Sequence, residues 1–223
     1  MKSKVILTMI YDIKLFPPVI SICNILSELN YEIVYIGGCS DMNTEKVLME
    51  RNHVRFYKTP LYGGNGMQRI IQQWKYRRYV LEMLKNEYVK ETTYLWLLHS
   101  ETVSLFSAYL DKYDVISHLF EFKNPTQKIA YRLLNPCYPF EKNLKKSKKV
   151  ICCEYNRAHI TKSIYDLDKV PYILPNKPYN GNVQIAQSLP FSIQEIISKY
   201  RNKKIILYQG VFIPERRVDY FVR

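Results

Sequence analysis

Short, nearly unbroken apolar runs alternate along this chain with longer stretches whose apolar residues recur every three to four positions. The first run, residues 5–10, has the composition of a strand buried on both faces, as parallel sheets require. Pro17-Pro18 then opens a helix whose stripe is Val19, Ile22, Cys23, Leu26 and Leu29. Further strands are predicted at 32–36, closed by Gly37-Gly38, and at 54–57, ended by Pro60. Later strands fall at 94–98, 114–119, 149–153 and 171–174. Helices are predicted at 43–51, from the Tyr62-Gly63-Gly64-Asn65-Gly66 loop to about Tyr88, at 103–110 and at 156–165. The segment 124–146 is helical in pattern but broken by Pro136 and Pro139. On the long helix the expected apolar face is Met67, Ile70, Ile71, Trp74, Leu81, Leu84 and Tyr88, interrupted by Arg77 and Arg78, one of which must snorkel or find a partner.

This alternation predicts an α/β fold, a Rossmann-like doubly wound parallel sheet. A turn-rich connector at 175–182 separates it from a helix at 191–200 and an apolar strand at 204–208 ending in Gln209-Gly210. Two domains are therefore expected, 1–182 and 183–223, the second only begun. Ligands of such sheets bind beyond the carboxyl ends of the strands. That directs attention to the loops after Ile10, Tyr57, Leu98, Leu119 and Cys153.

Composition is that of a globular protein, with 47% hydrophobic and 24% charged residues, and charge adds one constraint. The formal net charge of +13 calls for an anionic partner: nucleic acid, a membrane surface or a phosphorylated small molecule. The basic residues recur in helix-like stretches, chiefly 75–78 and 142–149, each also readable as a solvated face. The five cysteines are odd in number and form no CxxC pair, so they read as buried thiols, with Cys152 and Cys153 facing opposite sides of one strand. No apolar stretch approaches the ~20 residues of a membrane span and the amino-terminal run is too short for a signal peptide, which predicts a cytoplasmic protein.

Candidate chemistry gathers at the strand ends. His118-Leu119-Phe120-Glu121 brings an imidazole and a carboxylate to the end of the fifth strand, where they can position a hydroxyl and share its proton. A structural histidine and a capping glutamate explain the same residues. His99, Ser100 and Glu101 hold the equivalent place after the fourth strand, with Ser100 read as the cap of the next helix. The glycine-rich loop at 63–66 precedes a helix and can cradle a phosphate, although it spells neither GxGxxG nor a P-loop. Asp166-Leu167-Asp168 imitates a metal-binding acidic triplet but falls on the wrong edge of the sheet and reads as a solvated turn.

Four segments in order resemble the retaining GT-B-fold glycosyltransferases of the family 4 type. They are Phe16-Pro17-Pro18 with 31–37; 113–122, similar to that family's strand ending in a His-Glu motif; 149–158 with 172–176; and 205–210 with Pro214-Glu215-Arg216. The chain departs from the pattern at Phe120, which stands directly before Glu121, and at Arg217, where glycine is usual. The resemblance implies the amino-terminal half of a GT-B architecture, with His118 and Glu121 catalytic. Gly210 and Arg216 would bind a nucleotide sugar of UDP or GDP type without metal or other cofactor. Acceptor-side loops would carry Tyr11, Gly64, Gly66 and His99, and the acceptor would be saccharide or lipid-linked. An enzyme so placed docks peripherally on the anionic inner leaflet and needs no specific nucleic acid. The competing reading is a non-catalytic basic Rossmann-like module that binds nucleic acid or membrane.

Overall fold

A computed structural model describes residues 3–122, 143–177, 191–201 and 203. The chain divides into two compact units, Met1–Tyr179 and Asn180–Arg223, each taken by itself below. The first unit contains β1 (Lys4–Asp12), α1 (Pro17–Glu28), β2 (Glu32–Gly38), α2 (Met42–Arg51), β3 (Arg55–Lys58), α3 (Gly66–Glu87) and β4 (Thr93–Leu98). Then follow α4 (Ser100–Leu105), β5 (Val115–Leu119), β6 (Lys149–Cys152), α5 (Tyr155–Ile164) and β7 (Tyr172–Ile173). In the second unit, α6 (Phe191–Lys199) is the described element; the strand expected at 204–208, with Gly210 and Arg216 beyond it, lies outside the described residues.

All seven strands pair in parallel, in the order β3-β2-β1-β4-β5-β6-β7. This is the doubly wound α/β sheet that the alternating pattern predicts. The two-residue period of a strand divides β1 between two cores. Ile6 and Ile10 join Val34, Ile36, Leu95 and Leu97 under α3 and α4. Val5, Leu7 and Met9 join Ile33 and Tyr35 under α1, through Val19, Ile22, Cys23 and Leu26. Each such fully buried aliphatic side chain contributes ~2 kcal/mol. Leu29, expected on the α1 stripe, is 63% exposed because the helix has already ended there. Cys152 and Cys153 enter opposite cores, and the four described cysteines are free and buried. Gly37 is fixed by crowding: a Cβ there would stand 2.6 Å from the Tyr35 hydroxyl and 2.7 Å from the Met9 carbonyl oxygen.

The long helix corrects one expectation. Its buried residues are Gln73, Tyr76, Val80, Leu84 and Glu87, at helical spacing. Met67, Ile71 and Trp74 are exposed instead, and the Arg77 guanidinium lies 5.3 Å over the Trp74 ring. The buried stripe contains polar groups because each has a partner inside. The Tyr76 hydroxyl donates to Thr8 Oγ1 at 2.5 Å, whose own proton goes to the Ile36 carbonyl. Glu87 accepts from Arg55 at 2.7 Å, Tyr57 at 2.6 Å and Lys4 at 3.1 Å. Burial opposes ionisation of Glu87, yet these three donors hold its carboxyl down to about 2.

Candidate active site at the sheet's switch point

The connections from β1 and β4 leave in opposite directions across the sheet, which opens a crevice at their carboxyl ends. Tyr11, at the end of β1, and His99, just past β4, meet there with ring centroids 4.7 Å apart. Phe16 packs against both His99, at 5.5 Å, and Tyr11, at 5.7 Å, and Tyr62 meets Tyr11 edge-on at 5.3 Å. The two strand ends are tied together by the Ile10 amide, which donates to Thr102 Oγ1 at 3.1 Å. Asp12 Oδ1 accepts from the amides of Lys14 and Ser40, bracing the same rim. Burial opposes its charge, but these bonds hold its carboxyl below the ordinary aspartate value.

His99, rather than Ser100, caps α4. Its Nδ1 accepts from the Glu101 amide at 3.2 Å, while its backbone amide donates to the His118 carbonyl at 2.9 Å. An imidazole that accepts at Nδ1 carries its neutral-form proton on Nε2, so His99 is a donor there. The backbone at His99 has φ 75° and ψ 140°, a conformation that side chains other than glycine rarely adopt. Such strain costs about 1–3 kcal/mol and persists only where surrounding contacts enforce it.

Electrostatics complete the crevice. Gln73, 5% exposed on α3, donates from one Nε2 to Tyr62 Oη and to Glu101 Oε1, both at 2.9 Å. Burial pushes the Tyr11 phenol well up, and the charges of Glu101 and Glu121 add to that, with Arg69 acting in the opposite sense. Tyr11 is therefore a neutral hydroxyl. Glu101, Glu121 and Arg69 thus lie near enough to bear on its charge.

The structure does not bring His118 to the crevice. Strand alternation turns its ring with Trp96 and Phe120 toward the α1 layer, where it is 1% exposed and neither nitrogen has a hydrogen-bond partner among the described residues. Burial lowers its pKa to about 3, so the ring is neutral. Glu121 is exposed just past β5, so the two residues read together from sequence are separated. In the glycine-rich loop two of the amides that a phosphate could use are already taken by side chains. The Gly63 and Asn65 amides are bound by the Gln72 and Gln68 side chains, Asn65 and Gln68 make a capping box for α3, and Gly64 supplies φ +90°. Gly66 is the first residue of that helix. Asp166 is an exposed turn residue paired with Lys145 at 2.6 Å. Among the described residues no group of three or more His, Cys, Asp or Glu is placed to hold a metal ion. Sequence reading missed Gln73, an amide inside an otherwise polar helix, and Arg157, whose Nη1 donates to the Phe120 carbonyl at 2.8 Å. Only Gln73's helical spacing from Tyr76 and Val80 signalled its burial.

The fold is a Rossmann-like α/β unit of the kind found in GT-B glycosyltransferases. The chain is similar to Arabidopsis thaliana UGT89C1 complexed with UDP (TM-score 0.55, 9% identity, 89% of this chain and 57% of that one). It is also similar to the TcCGT1–UDP complex (0.53, 10%, 89% and 55%) and a glycosyltransferase from Rickettsia africae ESF-5 (0.53, 12%, 90% and 50%). The chain thus spans about half the length of these structures. At these identities the likeness is one of fold. No protein-family model matches the sequence, and no curated protein matches it significantly. No helix among the described residues is long and apolar enough to cross a membrane.

Proposed function

We propose that this chain is the acceptor side of a glycosyltransferase that takes a UDP- or GDP-sugar and glycosylates a saccharide or lipid-linked acceptor of a cell-surface polysaccharide or glycolipid. The observation that carries this reading is the meeting of Tyr11 and His99 at the switch point of a sheet shared with UDP-complexed glycosyltransferases. The acceptor hydroxyl attacks the anomeric carbon on the face from which the diphosphate departs, and the diphosphate leaves with the electron pair and takes up the hydroxyl proton. His99 Nε2–H and the Tyr11 hydroxyl orient the acceptor, and Glu121 receives a hydrogen bond from the acceptor. By the family resemblance Gly210 and Arg216 would bind the donor's diphosphate, where a guanidinium stabilises the growing charge. By its resemblance to the family 4 type the reaction retains anomeric configuration and needs no metal. His118, in this reading, is a packing residue.

The net charge of +13 supports a cytoplasmic enzyme docked on an anionic inner leaflet, each surface cation near it adding about 1 kcal/mol. A groove of about 460 Å³, lined by Ile25, Leu29, Tyr94 and Trp96 with Lys148 and Lys149, suits that contact. The test is initial-rate transfer by the full protein with a panel of UDP- and GDP-hexoses. Turnover that collapses in His99→Ala but survives in His118→Leu supports the reading. Failure to bind or turn over any nucleotide sugar removes it and favours the basic binding module.

A further inference from the structure

Gln73 joins three separate pieces of the crevice wall: α3, which carries it, the loop that carries Tyr62, and α4 through Glu101. It is 5% exposed, so its amide is not left to water. Chemistry fixes which way that amide faces. A carboxylate only accepts, so the atom 2.9 Å from Glu101 Oε1 is the Nε2 amino group, and the same group lies 2.9 Å from Tyr62 Oη. An amide nitrogen has no lone pair to offer, so both of its protons are donated and the Tyr62 oxygen accepts. The proton of Tyr62 is then uncommitted. Tyr62 makes no second hydrogen bond among the described residues, and the Tyr11 hydroxyl, whose ring meets that of Tyr62 at 5.3 Å, makes none among them. Burial raises both phenols and the charge of Glu101 raises them further, so each keeps its proton near neutral pH.

Two half-buried phenol protons thus stand side by side at the crevice, and the sense of one of them is dictated by a buried amide behind it. Oxygens of a sugar ring and its hydroxyls are acceptors for such donors. We propose that Gln73 is a positioning residue for the acceptor sugar: by donating both amide protons it commits the Tyr62 hydroxyl to donate to an acceptor oxygen, beside Tyr11, and fixes the Glu101 carboxylate next to them. The proposal rests on the glycosyltransferase reading and adds Tyr62 to the residues that touch the acceptor.

Initial rates of the full protein with UDP- and GDP-hexoses, using octyl glucoside and octyl galactoside as acceptors, test it. Tyr62→Phe keeps the ring and removes only the hydroxyl. It should raise the acceptor KM about fivefold, with kcat and the donor KM unchanged. Gln73→Leu, which leaves the Tyr62 hydroxyl free to turn, should raise the acceptor KM about threefold or more and also spare the donor KM. Because both substitutions act on one hydrogen bond, the double variant should exceed the worse single variant by no more than about twofold. Circular dichroism confirms folding, and Gln73→Met supplies the same cycle if the leucine variant does not fold. An unchanged acceptor KM in Tyr62→Phe or in the Gln73 variant overturns the proposal, as does a double variant whose effect is the product of the two, or a loss confined to kcat. In those cases transfer by the unsubstituted protein leaves the glycosyltransferase reading standing. No transfer by the unsubstituted full protein removes that reading and the role of Gln73 with it.

Discussion

Replacing His99 by glycine and by alanine separates what its backbone costs from what its side chain contributes. Either substitution deletes the ring, which packs at 4.7 Å against Tyr11 and 5.5 Å against Phe16, and the Nδ1 cap on the Glu101 amide. Lost caps cost about 1 kcal/mol and lost aromatic contacts about 0.5–1.5 kcal/mol each, so both variants lose roughly 2–4 kcal/mol on that account. Alanine keeps a Cβ at φ 75° and keeps the strain; glycine relieves about 1–3 kcal/mol of it. His99→Gly is therefore expected to be more stable than His99→Ala by about 1–2 kcal/mol, after allowing for glycine's larger unfolded-state entropy. At an ordinary position the order is reversed by 0.5–1 kcal/mol, as a rough rule. Urea unfolding followed by tryptophan fluorescence measures the difference, since Trp74 and Trp96 both lie in the first unit. Equal midpoints, or alanine the more stable, would refute the claim that this residue is strained. Neither variant should support transfer in the full protein, because both lack the Nε2 donor.

Glu87→Gln should destabilise the chain at pH 7 by ~1–2 kcal/mol, after discounting the full shift for the half-exposed Arg55 partner. Because the folded carboxyl is depressed to about 2 from an ordinary 4.5, that advantage is complete above pH 4.5 and fades as pH falls toward 2. Denaturation curves at pH 7 and pH 3.5 check this, and a pH-independent difference contradicts it. In the full protein, Arg216→Ala should cost around a hundredfold in initial rate, more than Glu121→Ala, with Asp166→Ala nearly silent as its exposed pairing with Lys145 implies. An Asp166 variant that proved the most damaging would overturn the site assignment. Sedimentation with anionic vesicles should weaken sharply between low and high salt, where screening shrinks to a few ångströms, about 3 Å at 1 M. Equal binding to neutral vesicles would refute electrostatic docking.

The sheet was legible from sequence because its central strands, β1 and β2 above all, are nearly continuous apolar runs that read as buried whichever face each residue takes. The orientation of α3 was not. Two apolar arcs compete on that helix, and the one containing Met67, Ile71 and Trp74 is the more hydrophobic, yet it is exposed. The buried arc includes Gln73 and Glu87, whose partners on β1, β3, the Tyr62 loop and α4 are distant in sequence. Burial of a polar group depends on such partners, which composition does not reveal. The same holds at the crevice. Tyr11 and His99 were visible as residues following strands, but the left-handed backbone that lets His99 replace Ser100 as the α4 cap has no local signature. His118 failed for a simpler reason: Phe120 shares its side of the strand, and both go where apolar surface is buried.

The two polar anchors of α3 also restrict how the molecule can move. Gln73 fastens the helix near the crevice and Glu87 fastens it beside the opposite edge of the sheet, 14 residues or about 21 Å farther along the axis. Sliding the helix by a single turn, ~5.4 Å, would tear both anchors from their partners at once. Axial shear of α3 is thereby made costly. Among the described residues the short stretch between Pro60 and the Asn65 cap carries no such anchor to the sheet beyond Pro60, and Gly64 in it holds φ +90°, a conformation open to few other residues.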